Sequence, residues 1–251
     1  MNSRQQDILK ALAAEAEIDI AELAGRFSVA EMTIRRDLAF LEDLGKVSRT
    51  WGGARLAHKA AFEFTFAEKT GANTEEKKAI GCKASELVNP GDFVFLDTGT
   101  TALQVAAGLK TLSNITVITC SMPIVSELFA APGIETIVLG GRIQPDCMEL
   151  YGPITEKNIS AVHANICFLG TDAVGSAGEL LTANMETARV SELIIKASRK
   201  KVLVADHSKW ENTAPIQYAT LKDIDTVITS KRLKKQHKKT VKDFTSEPIF
   251  I

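Results

Sequence analysis

The stretch "TIRRDLAFLEDLGKVSRTWGGA", residues 33–54, joins a helical pattern to a short ribbon rich in cations. Ile34, Leu38 and Leu41 recur at the spacing that places them on one face of a helix. Gly45 is typical of a helix end, and the residues after it indicate two short strands around a Gly-Gly turn. The stretch therefore predicts a helix followed by a two-stranded β-ribbon.

Two further helical patterns precede this stretch. Ser3 and Gln6 have the spacing of a capping box that opens a helix running to about Ala14. Asp19 and Glu22 give the same signal at the start of the short helix "IAELAGRF". Three helices, the last two joined by a tight turn, form a helix-turn-helix, whose last helix enters the major groove of DNA. With the ribbon added, the pattern predicts a winged helix-turn-helix domain.

The cations of this region stand out because the chain as a whole has a net charge of only −1. No acid occurs between Gly45 and Lys59, a segment with several basic residues. Arginine at a groove pairs with guanine or holds phosphate, and threonine contacts a thymine methyl group or a phosphate. We therefore expect DNA contacts from the outward face of the last helix and from the ribbon, through Glu31, Thr33, Arg35, Arg36, Lys46, Arg49 and Arg55.

The stretch "FSVAEMTIRRDLAFLEDLGKVSRTWGGA" resembles the N-terminal signature of DeoR-type bacterial transcription regulators. The resemblance implies that Thr33, Arg35 and Arg36 lie on the recognition helix. It also implies that Arg49, Gly52 and Gly53 belong to the wing. One position departs from the family, because Ala30 stands where a serine usually caps the recognition helix. Ser28, three residues before Glu31, offers a shifted capping box instead.

The rest of the chain alternates short apolar runs with helical patterns. "DFVFLD", "ITVITC" and "KKVLVAD" predict strands, and "TALQVAAGL" and "ETARVSELIIKAS" predict helices between them. Such an alternation is typical of a mostly parallel sheet covered on both faces. The chain is therefore predicted to be an α/β protein. It has a winged helix-turn-helix domain at residues 1–57, a linker at 58–72 with a first strand in "FEFTF", and a larger α/β domain at 73–251.

Polar residues collect at the carboxyl ends of these strands, where ligands bind in parallel sheets. In "FLDTGTTALQVAAGL" a strand ends at Asp97, and a Gly-containing turn leads into a helix whose first amides would hold a phosphate. Other strand ends add hydroxyls, carboxylates and cations to the same rim. The candidate ligand-binding residues are Asp97, Thr98, Gly99, Thr100, Thr101, Thr119, Ser121, Gly141, Arg142, Gly170, Asp172 and Lys209, with Gly140, Thr171, Asp206 and His207 beside them.

Seven motifs of this half resemble the DeoR sensor domain, in the family's order: "FLDTGTT", "VITCSMPI", "VLGGRIQ", "YGP", "FLGTDAV", "ETARV" and "VLVADHSKW". That domain is similar to sugar-phosphate isomerases such as ribose 5-phosphate isomerase, and family members bind phosphorylated metabolites with it. The resemblance implies that residues 97–101 cradle phosphate, with Glu186 and Lys209 near the effector. We therefore expect a repressor of a carbohydrate or polyol catabolic operon that a phosphorylated sugar or related metabolite releases from operator DNA. Because one small recognition helix contacts too few bases for useful specificity, we expect a homodimer or homotetramer.

Three other functions fit parts of the sequence. A winged helix that contacts proteins would leave Arg35 and Arg36 as a solvated face. A sugar-phosphate isomerase-like enzyme anchored to DNA would need carboxylates placed together for proton transfer, but only Asp172 of the isomerases' acidic run is kept. A DNA-organising protein would use the basic run "KRLKKQHKK", residues 231–239, which is more often the solvated face of a last helix, here before a terminal strand "PIFI". We therefore expect no catalytic residues.

Composition argues against several further classes. No apolar run reaches the roughly 18 residues that span a bilayer, and the N-terminus lacks the apolar centre of a signal peptide. We therefore expect a cytoplasmic protein with no membrane partner. Cys82, Cys120, Cys147 and Cys167 are scattered and have no close histidine, which argues against a disulfide framework and a zinc site. Neither a metal nor a cofactor is expected.

Overall fold

The computed structural model describes residues 2–15, 17–57, 69–144 and 148–251. Contacts within the chain divide it into two compact units, Met1–Ala72 and Asn73–Ile251. The strand predicted in "FEFTF", most of the predicted linker and Cys147 lie outside the described residues. Within the described ranges, no helix combines the length and apolar character needed to cross a membrane.

The first unit packs three helices against a small antiparallel sheet. In chain order its elements are α1 (Ser3–Ala14), β1 (Ile18–Asp19), α2 (Ile20–Phe27), α3 (Glu31–Asp43), β2 (Val47–Arg49) and β3 (Gly53–Leu56). Ile34, Leu38 and Leu41 of α3 are fully buried in one apolar cluster with residues of α1 and α2. The predicted helix-turn-helix and its two-stranded wing are therefore confirmed, and β1 adds a third strand beside β3.

Three helix caps differ from their predictions. Asp19 takes the N-cap position of α2, but its side chain makes no cap hydrogen bond. The capping box of α1 is formed by Asn2 and Gln5, one residue before the predicted pair, since each side chain bonds the other's backbone N–H at 2.9 Å. Ser28 does not cap α3. It ends α2 in the left-handed conformation (φ 52°), and Ala30 takes the N-cap position of α3 without a side-chain bond. A residue that closes one helix in that conformation is not placed to cap the next.

The second unit contains six α-helices and twelve strands among the described residues. The helices are α4 (Thr74–Ser85), α5 (Thr100–Leu109), α6 (Met122–Leu128), α7 (Pro153–Ser160), α8 (Met185–Lys196) and α9 (Lys235–Phe244). The strands are β4 (Phe93–Leu96), β5 (Ile115–Thr119), β6 (Ile134–Val138), β7 (Arg142–Gln144), β8 (Glu149–Tyr151), β9 (Ala164–Leu169), β10 (Ala173–Val174), β11 (Glu179–Thr182), β12 (Ser198–Ala205), β13 (Ile216–Thr220), β14 (Thr226–Thr229) and β15 (Glu247–Phe250).

Seven of these strands form one sheet in which every neighbouring pair is parallel, in the order β15-β14-β12-β9-β4-β5-β6. Alternate residues of its strands enter the two large apolar clusters, as Phe95 and Leu96 of β4 do. Because both faces are covered, the strands read as continuous apolar runs. The predicted α/β fold with a mostly parallel sheet is confirmed.

The remaining strands form two small antiparallel sheets. β10, β11 and β13 make one of them, and β7 and β8 make a hairpin. The sequence pattern does not predict these five strands, which are two to five residues long. The basic run behaves as predicted, since its second half lies in α9 and the last strand, β15, follows at the sheet edge.

Candidate nucleic-acid interface and strand-end crevice

The exposed face of α3 carries the predicted DNA-contacting residues. Glu31, Arg35 and Arg36 are exposed, and Thr33 is half-buried. Arg35 and Glu31 approach to 3.4 Å, with about half of each side chain exposed. A pair this exposed is weak, so a phosphate could replace the carboxylate. Arg36 makes no ion pair with any residue in the described ranges.

The opposite face of α3 holds a buried carboxylate that the sequence reading did not single out. Asp37 is 5% exposed and accepts hydrogen bonds from Nε of Arg4 at 2.6 Å and from Nε2 of Gln5 at 2.9 Å. These bonds fix α3 against the first turn of α1. The sequence contains a sign of this burial. Asp37 lies three residues after Ile34 and one before Leu38, so helical spacing places it beside the buried apolar residues.

The wing is attached to α3 through Arg49. Its backbone N–H donates to Oε1 of Glu42 at 3.1 Å, and its guanidinium lies 3.7 Å from the same carboxylate. Arg49 and Arg55 are exposed, whereas Lys46 is half-buried. The last turn of α3 and the first strand of the wing are therefore held together.

The two glycines of the wing differ in what they do. A Cβ on Gly53 would lie 2.2 Å from the carbonyl oxygen of Ile18, so glycine is required where β3 passes β1. A Cβ on Gly52 would meet only Oδ1 of Asp19, at an ordinary 3.5 Å. Gly53 therefore serves the fold, and Gly52 lies exposed in the turn. Trp51, beside it, is fully exposed, and the sequence pattern gives no sign of this exposure.

In the second unit, β4 and β9 meet where the order of strands reverses. The chain proceeds from β4 to β5 on one side and returns at β9 on the other. Such a switch point opens a crevice at the carboxyl ends of the two strands. The loops that follow them, 97–99 and 170–172, meet there, since the N–H of Gly170 donates to Oδ2 of Asp97 at 3.3 Å.

Asp97 is the buried acid of this crevice, only 3% exposed. Burial raises its pKa to about 6, against the opposing effect of hydrogen bonds from the backbones of Thr98 and Gly170 and from Ser191. The Ser191 hydroxyl donates to Oδ2 at 3.2 Å. Oδ1 is buried and has no hydrogen-bond partner among the described residues. Asp97 can therefore accept a hydrogen bond from a ligand.

The loop after Asp97 leads into the N-terminus of α5. Gly99 is the N-cap residue and has φ 102°, a conformation that glycine adopts without strain. No side chain caps the helix there, and the positive end of a helix favours an anion. Thr98 is half-buried beside them, while Thr100 and Thr101 are buried.

Several predicted ligand-binding residues are used within the fold. The Thr119 hydroxyl donates to the carbonyl of Leu96 at 2.9 Å and accepts from the N–H of Ser121 at 3.0 Å, and both residues are buried. A Cβ on Gly141 would lie 2.0 Å from Oγ1 of Thr155, which explains the glycine by packing. These residues shape the crevice.

Asp172 likewise serves the fold, and three other predicted residues remain open to solvent. Oδ2 of Asp172 accepts from Oγ1 of Thr182 at 3.0 Å and from the N–H of Ala183 at 3.1 Å. Arg142 and Glu186 are exposed and Lys209 is half-buried. In the part of the chain that the structure describes, none of these three side chains makes an ion pair.

Comparison with known proteins decides the family. The DeoR-like helix-turn-helix domain matches residues 4–60, and the DeoR C terminal sensor domain matches residues 72–231. The chain belongs to the DeoR family. The resemblance read from the sequence motifs is thereby confirmed.

The DeoR relatives match along nearly the whole chain. An uncharacterized HTH-type transcriptional regulator, YulB of Bacillus subtilis, is 35% identical over 96% of this chain and 93% of its own. The lactose phosphotransferase system repressor of Lactococcus lactis is 31% identical over 97% and 96%. The glycerol-3-phosphate regulon repressor of Escherichia coli is 30% identical over 90% and 89%. This DeoR protein is therefore a DNA-binding transcriptional regulator and not an enzyme.

Solved structures give a weaker likeness. Ribose 5-phosphate isomerase A from Methanocaldococcus jannaschii is 18% identical with a TM-score of 0.42, and the match covers 55% of each chain. A likeness of this size carries no functional weight.

The DeoR sensor unit also brings Glu76, Asp206 and His207 together, with one ligand atom of each inside a 4.8 Å cluster. The N–H and Nδ1 of His207 contact Glu76 at 2.7 and 2.8 Å. Oδ1 of Asp206 accepts from Nδ2 of Asn73 and from the N–H and hydroxyl of Ser208. These carboxylate and imidazole atoms are of the kinds that ligate metal ions. In the structure they bond to protein groups and join the start of α4 to the end of β12.

Proposed function

We propose that this DeoR-family regulator represses a carbohydrate or polyol catabolic operon and is released from its operator by a phosphorylated sugar. The crevice between β4 and β9 carries the sensing half of the proposal. It combines a helix N-terminus suited to phosphate with the buried carboxylate of Asp97. Oδ1 of that carboxylate has no hydrogen-bond partner among the described residues and could accept from a sugar hydroxyl. Two relatives named as repressors of lactose phosphotransferase and glycerol-3-phosphate systems support the proposed class of effector.

The proposed roles follow the two units. DNA is contacted by the exposed face of α3 and by the wing, through Glu31, Thr33, Arg35, Arg36, Lys46, Arg49, Gly52 and Arg55, with Gly53 as a structural requirement. The effector phosphate binds at residues 97–101, and Arg142, Glu186 and Lys209 approach the rest of the ligand. Thr119, Ser121, Gly141, Gly170 and Asp172 hold the crevice in shape.

Release from DNA requires a difference in affinity between two states. One recognition helix contacts too few bases for useful specificity, so we propose a homodimer or homotetramer that reads two half-sites. The effector binds more tightly to an arrangement that does not match their spacing. An effector shifts this equilibrium only by its differential affinity, and nearly complete release needs roughly 5 kcal/mol.

The proposed domain limits are 1–57 for DNA binding, 58–72 for the linker and 73–251 for the sensor. Because a regulator acts where its operator DNA lies, we propose that the protein acts in the cytoplasm. The division of contacts between residues 72 and 73 and the domain matches at 4–60 and 72–231 support these limits.

The test is fluorescence anisotropy of a labelled duplex taken from upstream of the chain's own coding region, with and without a panel of sugar and polyol phosphates. We expect tight, salt-sensitive binding that one phosphate reverses and its unphosphorylated form does not. Tight binding that no member of the panel alters would contradict the sensing half. Absence of any sequence preference would contradict the regulator's proposed reading surface.

A further inference from the structure

The turn of the wing carries a tryptophan that no residue of the described ranges covers. Trp51 is 106% exposed, whereas Trp210 is only 4% exposed in the core of the second unit. A tryptophan carries one of the largest apolar surfaces of any side chain. A single exposed apolar residue is common on protein surfaces, so exposure by itself does not indicate a partner. The fixed attachment of its turn and the cations beside it on the ribbon do indicate a partner.

The turn that presents Trp51 is held by hydrogen bonds on both sides. The N–H of Thr50 donates to the carbonyl of Gly53 at 3.0 Å, and the Thr50 hydroxyl accepts from the N–H of Gly53 at 3.2 Å. The carbonyl of Gly52 accepts from the N–H of Ile20 at 3.0 Å, which ties the turn to the start of α2. The indole is therefore displayed from a fixed turn beside the helix-turn-helix.

Exposed cations lie on both sides of Trp51 along the ribbon, where they could meet a polyanion. Arg49 precedes it by two residues, Arg55 follows it by four, and both are exposed. Residues 44–57 contain no acid. Three carboxylates from outside the ribbon approach it, because Glu42 pairs with Arg49, Glu17 accepts from the Thr50 hydroxyl, and Oδ1 of Asp19 lies beside Gly52. Arg55 makes no ion pair with a residue in the described ranges. An exposed aromatic ring between cations on a ribbon fits a groove whose two walls are phosphate backbones.

We propose that Trp51 enters the DNA minor groove beside each half-site and packs its indole against a partly unstacked base step. This inference rests on the proposed function, which places the wing on operator DNA. Apolar side chains act as wedges of this kind in minor-groove binders, where they widen and kink the step. Pyrimidine–purine steps such as TA and CA/TG unstack most easily. Trp51 therefore selects such a step through its deformability, without a hydrogen bond to a base.

The first arm of the test selects duplexes from a random-sequence library with the wild-type chain and with Trp51→Ala, Trp51→Phe and Phe129→Ala. Phe129 is an 88% exposed aromatic of the second unit and serves as the matched control. We expect the wild type, Trp51→Phe and the control to enrich a half-site flanked by a pyrimidine–purine step. Trp51→Ala should enrich the half-site without that step and bind the wild-type duplex about 5- to 100-fold more weakly.

The second arm measures tryptophan emission during titration with the selected duplex. The chain has two tryptophans, so the signal lost in Trp51→Phe belongs to Trp51. Stacking on a base should quench that component and protect it from acrylamide, while the emission of buried Trp210 stays unchanged.

The outcomes separate the inference from the function. Equal affinity and the same flanking step in Trp51→Ala, or an indole that remains open to acrylamide on DNA, would overturn the inference and leave the regulator intact. A wild-type chain that enriches no motif would overturn both. Protection of Trp51 without DNA, at concentrations where chains associate, would show that the ring contacts protein and would also overturn it.

Discussion

Arg4 and Asp37 join the first helix to the recognition helix through a 2.6 Å hydrogen bond between Nε and Oδ2. Gln5 bonds the other oxygen of the same carboxylate, and its own backbone N–H is bonded by Asn2. One acid thus connects the cap of α1 with the helix that we propose reads DNA.

Replacing Asp37 with Ala should destabilise the first unit by about 2–3 kcal/mol. The change leaves the buried amide of Gln5 and the guanidinium of Arg4 without their acceptor. Asp43→Ala, on the exposed end of the same helix, is the control and should change stability by less than about 0.5 kcal/mol. Urea unfolding followed by circular dichroism measures both, and equal effects of the two substitutions would refute a role for the buried network.

Replacing Arg36 with Ala should weaken operator binding by about 1–3 kcal/mol, because an exposed cation without an ion-pair partner in the described ranges is free to meet a base or a phosphate. If the lost contact is to phosphate, the slope of log affinity against log salt falls by about 1. Arg199→Ala, an exposed arginine of the second unit, supplies the charge-matched control. Anisotropy titrations at several salt concentrations measure both the operator affinity and its salt dependence. Unchanged operator affinity for Arg36→Ala would exclude this residue from the interface.

Gly53→Ala and Gly52→Ala form a pair that separates fold from DNA contact. The new Cβ at Gly53 would lie 2.2 Å from the backbone of Ile18, so the pairing of β1 and β3 must yield, at a cost of about 1–3 kcal/mol. At Gly52 the added Cβ meets an atom at 3.5 Å, and stability should change little. Thermal unfolding compares them. A stable Gly53→Ala protein would show that the close approach is unimportant.

A glutamate at the phosphate loop should abolish the response to effector while operator binding remains. Thr101 is buried, so the acid is better placed at half-buried Thr98, where it would repel a phosphate at the start of α5. Thr111→Glu, exposed beyond the other end of α5, is the matched control. Release of operator DNA by the effector is the readout, and a normal response from Thr98→Glu would place the phosphate elsewhere.

The buried carboxyl of Asp97 should make stability depend on pH. Its pKa is about 6 in the folded chain and about 3.9 when unfolded, so the folded state holds the proton more tightly. The free energy of unfolding therefore falls as pH rises from about 4 to 6, by on the order of 1–3 kcal/mol. Asp97→Asn lacks this titration, so its stability relative to the wild type should rise through that window and level off above it. Urea unfolding at pH 4.5, 6 and 7.5 tests this, and a pH-independent difference would contradict it.

Periodicity predicted the elements whose burial is regular. α3 shows its buried face through Ile34, Leu38 and Leu41, and the parallel strands show themselves as apolar runs because both faces of the sheet are covered. β10 and β7 have only two and three residues, too few for a pattern, and their pairings depend on tertiary contacts. Their positions could not be derived from local sequence.

The candidate sites divide in the same way. The loop 97–101 was predicted because a strand, a glycine and a helix start follow one another along the chain. The bond from Gly170 to Asp97 joins residues 73 positions apart, and the bond from Ser191 spans 94. Such contacts, and the hydrogen bond from Thr119 to Leu96, depend on which strands are neighbours in the sheet. The motif therefore indicated which residues gather at the rim, while the fold determines which of them still offer a free polar atom.

The bond between the N–H of Arg49 and Glu42 has a consequence for how operators can vary. Because it joins the wing to the end of α3, we expect helix and ribbon to meet DNA as one piece. An oligomer that holds two such pieces at a fixed separation would then recognise the number of base pairs between the half-sites as well as their sequence. One duplex turn takes about 10 base pairs, so five inserted pairs would carry the second half-site to the far side of the duplex. We expect a promoter with such an insertion to escape control although every contacted base is unchanged.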